Sequence, residues 1–112
     1  MDRIRVLLVD DHPLAREGLR TMLSTAPDIE VVAEASDGFE AVEKAGEHQP
    51  EIVLMDLRMP NLDGLEATRR IKSQLPSTAV IVLTAYDNEG YVVDAVRAGA
   101  GGYLLKDASK EL

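Results

Sequence analysis

The sequence predicts a doubly wound α/β domain on one parallel sheet. Three observations carry that prediction. Five short apolar runs rich in β-branched residues recur along the chain, each separated from the next by enough residues for one helix, and such runs suit parallel strands covered on both faces. The connections are short, and crossovers between parallel strands are nearly always right-handed. Four of the runs end in residues that carry chemistry, namely Asp10 and Asp11, Asp56, Thr84 and Lys106.

The first strand covers Ile4–Val9. His12-Pro13 opens a helix, because proline in a first turn lacks only an N–H that would have had no partner. Leu14, Gly18, Met22 and Leu23 are expected on its inner face. Pro27-Asp28 ends the connection, and Ile29–Ser36 forms the second strand. Glu30 and Glu34 interrupt its apolar run, which assigns it to a sheet edge. Asp37-Gly38 is a turn. Phe39, Val42, Ala45 and Gly46 then hold a helical period up to His48-Gln49-Pro50.

Ile52–Met55 is the third strand and delivers Asp56. Leu57 to Asp63 is a loop stiffened by Pro60, and Asp63 is the expected N-cap of a helix carrying Leu65, Thr68, Ile71 and Leu75. Leu75-Pro76-Ser77 closes it. Ala79–Leu83 is the fourth strand, Asn88–Ala98 a helix with Val92, Ala95 and Val96 inward, and Tyr103–Leu105 the fifth strand. Gly99, Gly101 and Gly102 precede a strand, so they serve as helix stop and turn and not as a phosphate loop. The expected strand order is 2-1-3-4-5, a flavodoxin-like arrangement, which places the first and third strands together at the reversal point where ligands bind. Asp107–Leu112 can start a fifth helix but not complete one, so most of that helix is expected to be missing from this chain. Residues 1–112 form one domain.

Composition narrows the function. With 112 residues and 46% hydrophobic content the chain can bury a core unaided, and the absence of cysteine leaves neither disulfides nor a thiolate zinc site. No apolar run approaches the roughly 18 residues that span a bilayer, and Met1-Asp2-Arg3 before a strand is not a signal-peptide pattern. A soluble, cytoplasmic protein without membrane contact is expected. The formal net charge of −8 opposes direct contact with nucleic acid.

Side chains at the carboxyl ends of neighbouring parallel strands converge on one crevice. Three carboxylates gathered there disfavour one another's ionised forms, and a divalent cation removes that cost. Oxygen ligands without thiolates or clustered imidazoles suit Mg²⁺ and not zinc. Asp11 and Asp56, with Asp10 directly or through water, are the expected ligands. A free oxygen of Asp56 can then attack a phosphoryl group, aided by the Thr84 hydroxyl and the Lys106 ammonium. His12 neighbours the acidic pair, but at a helix start with no second histidine close by it is assigned a structural role and left outside the site.

The stretches VDDHPLAREGL, LMDLRMPNLDG, VLTA and GGYLLKDAS occur in that order. Together they resemble the receiver domain of two-component response regulators over essentially the whole chain. The resemblance implies that Asp56 is the phosphoacceptor, that Asp10, Asp11 and Asp56 hold Mg²⁺ with the backbone carbonyl of Arg58, that Thr84 is the switch hydroxyl and that Lys106 pairs with the phosphoryl group. Tyr103 takes the switch-aromatic position. Arg58 and Tyr86 fall where family members tune phosphoryl lifetime, and their bulk implies slow self-hydrolysis. Many receivers follow the lysine with proline, whereas Asp107-Ala108-Ser109 follows here. That ending and the DDHPLAREGL stretch are similar to the subgroup preceding a LuxR/NarL-type helix-turn-helix domain.

The implied function is a phosphorylation-dependent switch, charged by a histidine kinase and controlling a DNA-binding effector domain beyond Leu112. It would not be an enzyme, beyond self-phosphorylation from small donors and slow self-dephosphorylation, and a homodimer is an open alternative to a monomer. One competing reading is an aspartate-nucleophile phosphatase of the haloacid-dehalogenase type, which usually places a second Asp two residues after the nucleophile, where this chain has Arg58. The other is an interaction module that is never phosphorylated.

Overall fold

The structure is a computed structural model that describes residues 3–56, 61–84 and 102–105, with side chains described for 3–56 and 61–82. Five parallel strands, β1 (Ile4–Val9), β2 (Ile29–Ala35), β3 (Ile52–Met55), β4 (Ala79–Thr84) and β5 (Gly102–Leu105), form one sheet in the order β2-β1-β3-β4-β5. This is the predicted order, with β2 at an edge. Helices α1 (Pro13–Ser24), α2 (Gly38–His48) and α3 (Gly64–Gln74) connect the first four strands. The helix expected over Asn88–Ala98 and the helix start expected over Asp107–Leu112 lie outside the described residues.

The order of strands decides which face each helix covers. The chain moves outward from β1 to β2 and then returns across β1 to β3, so two right-handed crossovers in opposite directions put α1 and α2 on opposite faces. The step from β3 to β4 continues in the direction of the β2–β3 step, and α3 joins α2. Leu7, Val53 and Val80 pack with Ala41 and Ala45 of α2 and with Ala67 and Ile71 of α3 in one buried cluster. Val6 and Leu8 are buried outside that cluster, as strand alternation requires.

Helix phase departs from expectation at two places. On α1, Leu14 and Met22 are 80% and 67% exposed, and Gly18 is exposed as well. The partly buried positions are Arg16 and the stripe Ala15, Leu19 and Leu23, of which Leu23 lies inward as expected. Both stripes repeat every four residues, so the period alone could not choose between them. On α2 the buried residues are Gly38, Ala41 and Ala45, while Phe39 and Gly46 are exposed. The small stripe lets the helix sit close to its neighbours, and Phe39 is left outside with the Arg70 guanidinium 5.6 Å from its ring centroid.

Two aspartates set helix starts. Asp63 accepts the Glu66 N–H at 3.0 Å, as its expected capping role requires. Asp37 does the same for α2 by accepting the Glu40 N–H at 2.8 Å, so the residue read as part of a turn is the N-cap. The Glu40 carboxylate reaches back to the Ser36 N–H at 2.8 Å. A Ser-Asp-Gly-Phe-Glu stretch thus carries a reciprocal capping pattern shifted by one residue from the commonest form.

Candidate functional site

The site is assembled by the continuation of the parallel ladder past the strand ends. The Asp10 N–H donates to the Ala35 carbonyl at 3.1 Å, and the Asp56 N–H donates to the Val9 carbonyl at 3.0 Å. Val9 is in register with Met55, so Asp10 and Asp56 occupy the same next step of adjacent strands and project to the same side. Both are buried, at 1% and 5% exposure.

One carboxylate oxygen from each of Asp10, Asp11 and Asp56, together with a ring nitrogen of His12, all lie within 4.8 Å of one another. The Asp10 carboxylate also accepts the His12 backbone N–H at 2.9 Å. The His12 Nδ1 atom is 2.9 Å from Asp11 Oδ1 and 3.4 Å from Asp10 Oδ1. The closer contact lacks hydrogen-bond angles, and Asp11 Oδ1 is buried without a hydrogen-bond partner among the described residues. A buried carboxylate oxygen in that state is costly. Its oxygen-rich surroundings fit a hard divalent cation, and Mg²⁺ meets the requirement.

The acid-bearing segments are anchored from outside the cluster. Arg16 Nη1 donates to the Asp10 carbonyl at 2.7 Å, and its Nε lies 3.3 Å from Glu34 Oε1. Arg20 Nη1 holds the other Glu34 oxygen at 2.5 Å. The Glu34 hydrogen bond and charge raise the Arg20 pKa above its ordinary value, so the arginine stays charged. On the other side, Asn61 adopts φ 68° and donates through Nδ2 to Asp37 Oδ2 at 3.1 Å. Leu62 is buried with its backbone against Gly38, where a β-carbon would lie 2.0 Å from the Leu62 carbonyl oxygen. These contacts fix the end of the loop that starts at Asp56.

Of the residues expected at the site, Asp10, Asp11 and Asp56 are brought together. Thr84 ends β4 and pairs with Leu105, the last residue of β5, so its backbone lies at the carboxyl ends of both strands, while Tyr103 pairs with Val82 two residues earlier. Their side chains, and all of Arg58, Tyr86 and Lys106, lie outside the described residues. His12, which the sequence reading set aside, belongs to the cluster geometrically. Its ring is 71% exposed, and although His12 is the N-cap residue of α1 its side chain makes no cap hydrogen bond. The signal was the adjacency itself, since the residue after two converging carboxylates shares their turn.

The chain matches the family described as the response regulator receiver domain over residues 6–112. It is 50% identical over 103 residues to the transcriptional regulatory protein LiaR of Bacillus subtilis, covering 92% of this chain and 49% of that protein. Among solved structures it is similar to the signal receiver domain of NarL from Mycobacterium tuberculosis, with TM-score 0.91, 42% identity and coverage of 96% and 86% of the two chains. A LuxR-family two-component response regulator from Aurantimonas sp. SI85-9A1 gives TM-score 0.89 at 40% identity, covering 94% and 75%. The chain spans about half the length of the curated relatives it matches. These likenesses favour the switch over the phosphatase and inert-module alternatives.

Proposed function

The chain belongs to the response regulator receiver domain family of two-component systems, and from that premise we propose that Asp56 accepts a phosphoryl group from a histidine kinase and drives a conformational switch. The observation that carries the proposal is the convergence of Asp10, Asp11 and Asp56 at the carboxyl edge of the sheet, with Asp10 and Asp56 buried and Asp11 partly exposed. The nucleophile's role goes to Asp56 on the family resemblance, and its geometry suits the role, since it extends β3 directly with its N–H tied to the Val9 carbonyl. An Asp56 oxygen forms the new bond to phosphorus as the donor's bond breaks, giving an acyl phosphate. Asp10, Asp11 and Asp56, with the Arg58 carbonyl, would hold Mg²⁺, which supplies positive charge to offset that of the incoming phosphoryl oxygens. Lys106 pairs with the phosphoryl group, and Thr84 accepts its pull as the switch hydroxyl with Tyr103 responding. Small donors such as acetyl phosphate can replace the kinase.

In the full-length protein we place a DNA-binding effector domain after this one, and a cytoplasmic location, on the strength of relatives that are transcriptional regulators about twice as long. Among the described residues no helix is long and apolar enough to cross a membrane. The test is incubation with acetyl phosphate and Mg²⁺ followed by intact mass measurement. A single phosphoryl adduct is expected on the wild-type chain and none on Asp56→Asn. An adduct of equal yield on Asp56→Asn would overturn the assignment. Arg58 and Tyr86 are both large enough to screen the water path to the acyl phosphate, so the Arg58→Ala, Tyr86→Ala double variant should lose its adduct faster, and an unchanged decay rate would remove that role.

A further inference from the structure

We propose that Arg16 is a positioning residue for the carboxylate cluster, and that Glu34 of the edge strand holds it in place for that task. The inference rests on the cation-binding reading of the cluster and adds residues outside it that set its affinity. Arg16 Nη1 donates to the carbonyl of Asp10, at 2.7 Å. That carbonyl belongs to the peptide joining Asp10 to Asp11, so its orientation governs how the two carboxylates stand to each other. A charge-assisted hydrogen bond to it limits rotation of the peptide.

The guanidinium is itself held. Its Nε lies 3.3 Å from Glu34 Oε1, and the side chains of Arg16 and Glu34 are only 20% and 24% exposed. Arg20 occupies the second Glu34 oxygen, which stops that carboxylate from swinging away. A planar guanidinium can direct one N–H to Glu34 and another to the Asp10 carbonyl at a fixed angle, and a lysine ammonium on a flexible stem cannot reproduce both. Glu34 is also one of the two charges that interrupt the apolar run of β2. Its presence there is explained by this contact, which joins the edge strand and α1 to the turn that carries the acidic pair.

Two roles for Arg16 make opposite predictions. As a positive charge close to a cation site it would weaken Mg²⁺ binding, so its removal would tighten binding and lysine would behave like arginine. As a positioning residue its removal weakens binding, and lysine fails to rescue. Outer partners of metal ligands typically change affinity by about 10–100-fold when lost. We therefore expect Arg16→Met and Arg16→Lys each to raise the Mg²⁺ dissociation constant by about 10-fold. Glu34→Gln, which touches none of the three carboxylates, should shift it in the same direction. The double variant Arg16→Met, Glu34→Gln should be no weaker than Arg16→Met, because the pair acts as one unit.

The experiment is calorimetric titration of each variant with Mg²⁺ alone, with acetyl phosphate labelling followed across Mg²⁺ concentrations. The Mg²⁺ concentration for half-maximal labelling should rise with the dissociation constant, while labelling at saturating Mg²⁺ should change far less. Thermal unfolding without Mg²⁺ separates this effect from loss of fold. Should Arg16→Met not fold, Arg16→Lys and Glu34→Gln carry the same test. Wild-type affinity in folded Arg16→Lys and Glu34→Gln, or tighter binding in Arg16→Met, overturns the proposal. A wild-type chain that neither binds Mg²⁺ nor is labelled overturns the underlying reading instead.

Discussion

Gly38 is the residue where a single atom matters most. A β-carbon there would stand 2.0 Å from the Leu62 carbonyl oxygen and 2.6 Å from its carbon, both backbone atoms that cannot rotate away. Gly38→Ala must push back the loop between β3 and α3, and overpacking of this kind costs about 1–3 kcal/mol. Urea denaturation should show a loss of that size. Asn61 is linked to the same corner, since its side chain bonds to Asp37, and a displaced loop should also slow labelling of Asp56. The chemistry-bearing residues of the described part of the site were legible in the sequence, because the Asp10-Asp11 pair and Asp56 each stand at the end of an apolar strand run. Gly38 was not, since nothing local says that Leu62, far along the chain, will lie against it. Arg16 was hidden for the same reason: its partners Asp10 and Glu34 meet only when β1, α1 and β2 are assembled.

At the scale of elements, strand positions were readable and helix faces less so. Apolar runs bounded by turn residues mark strands directly, and β1 and β3 match the expected bounds. For α1, two stripes with the same spacing compete, Leu14-Gly18-Met22 and Ala15-Leu19-Leu23, and a shift of one residue rotates a helix by about 100°. The structure selects the second stripe. The choice has a measurable consequence. Leu14→Ala should change stability by no more than about 0.5 kcal/mol, the range for exposed positions. Leu19→Ala removes partly buried apolar surface and should cost about 1–2 kcal/mol. Equal unfolding midpoints for the two variants would show that the helix is rotated from the position described. The N-cap of α3 was legible because Asp63 stands immediately before Gly64 and three residues before Glu66. Asp37 stands in the same relation to Gly38 and Glu40, so the same capping signal was present there and the turn reading of Asp37-Gly38 passed over it.

Across the whole molecule, a switch needs two states and a ligand that prefers one of them. The acyl phosphate on Asp56 is proposed to favour a state in which Thr84 is drawn toward the site and the Tyr103 ring follows. The described sheet supplies a route, since β4 pairs with β3 on one side and with β5 on the other. Thr84→Ala should therefore be labelled on Asp56 without the activated conformation. Comparing amide spectra of the labelled wild-type and Thr84→Ala chains checks this, and a full set of activation shifts in Thr84→Ala would refute the coupling. Size and charge act at this scale as well. A net charge of −8 leaves the domain poorly suited to hold DNA itself, in keeping with the proposal that a separate domain does so.

Sequence alone determined the alternation of strands and helices, the edge position of β2 and the identity of three converging carboxylates. It could do so because these follow from local hydrophobic pattern, from the hand of parallel crossovers and from the rule that strand ends meet at the reversal point. Only the tertiary structure decided which stripe of α1 turns inward, that Gly38 must lack a side chain, that His12 stands among the acids and that Arg16 ties Glu34 to the Asp10 carbonyl. Each of these depends on groups distant in sequence, or on a choice between equally spaced residues, and packing in three dimensions is the only force that distinguishes them.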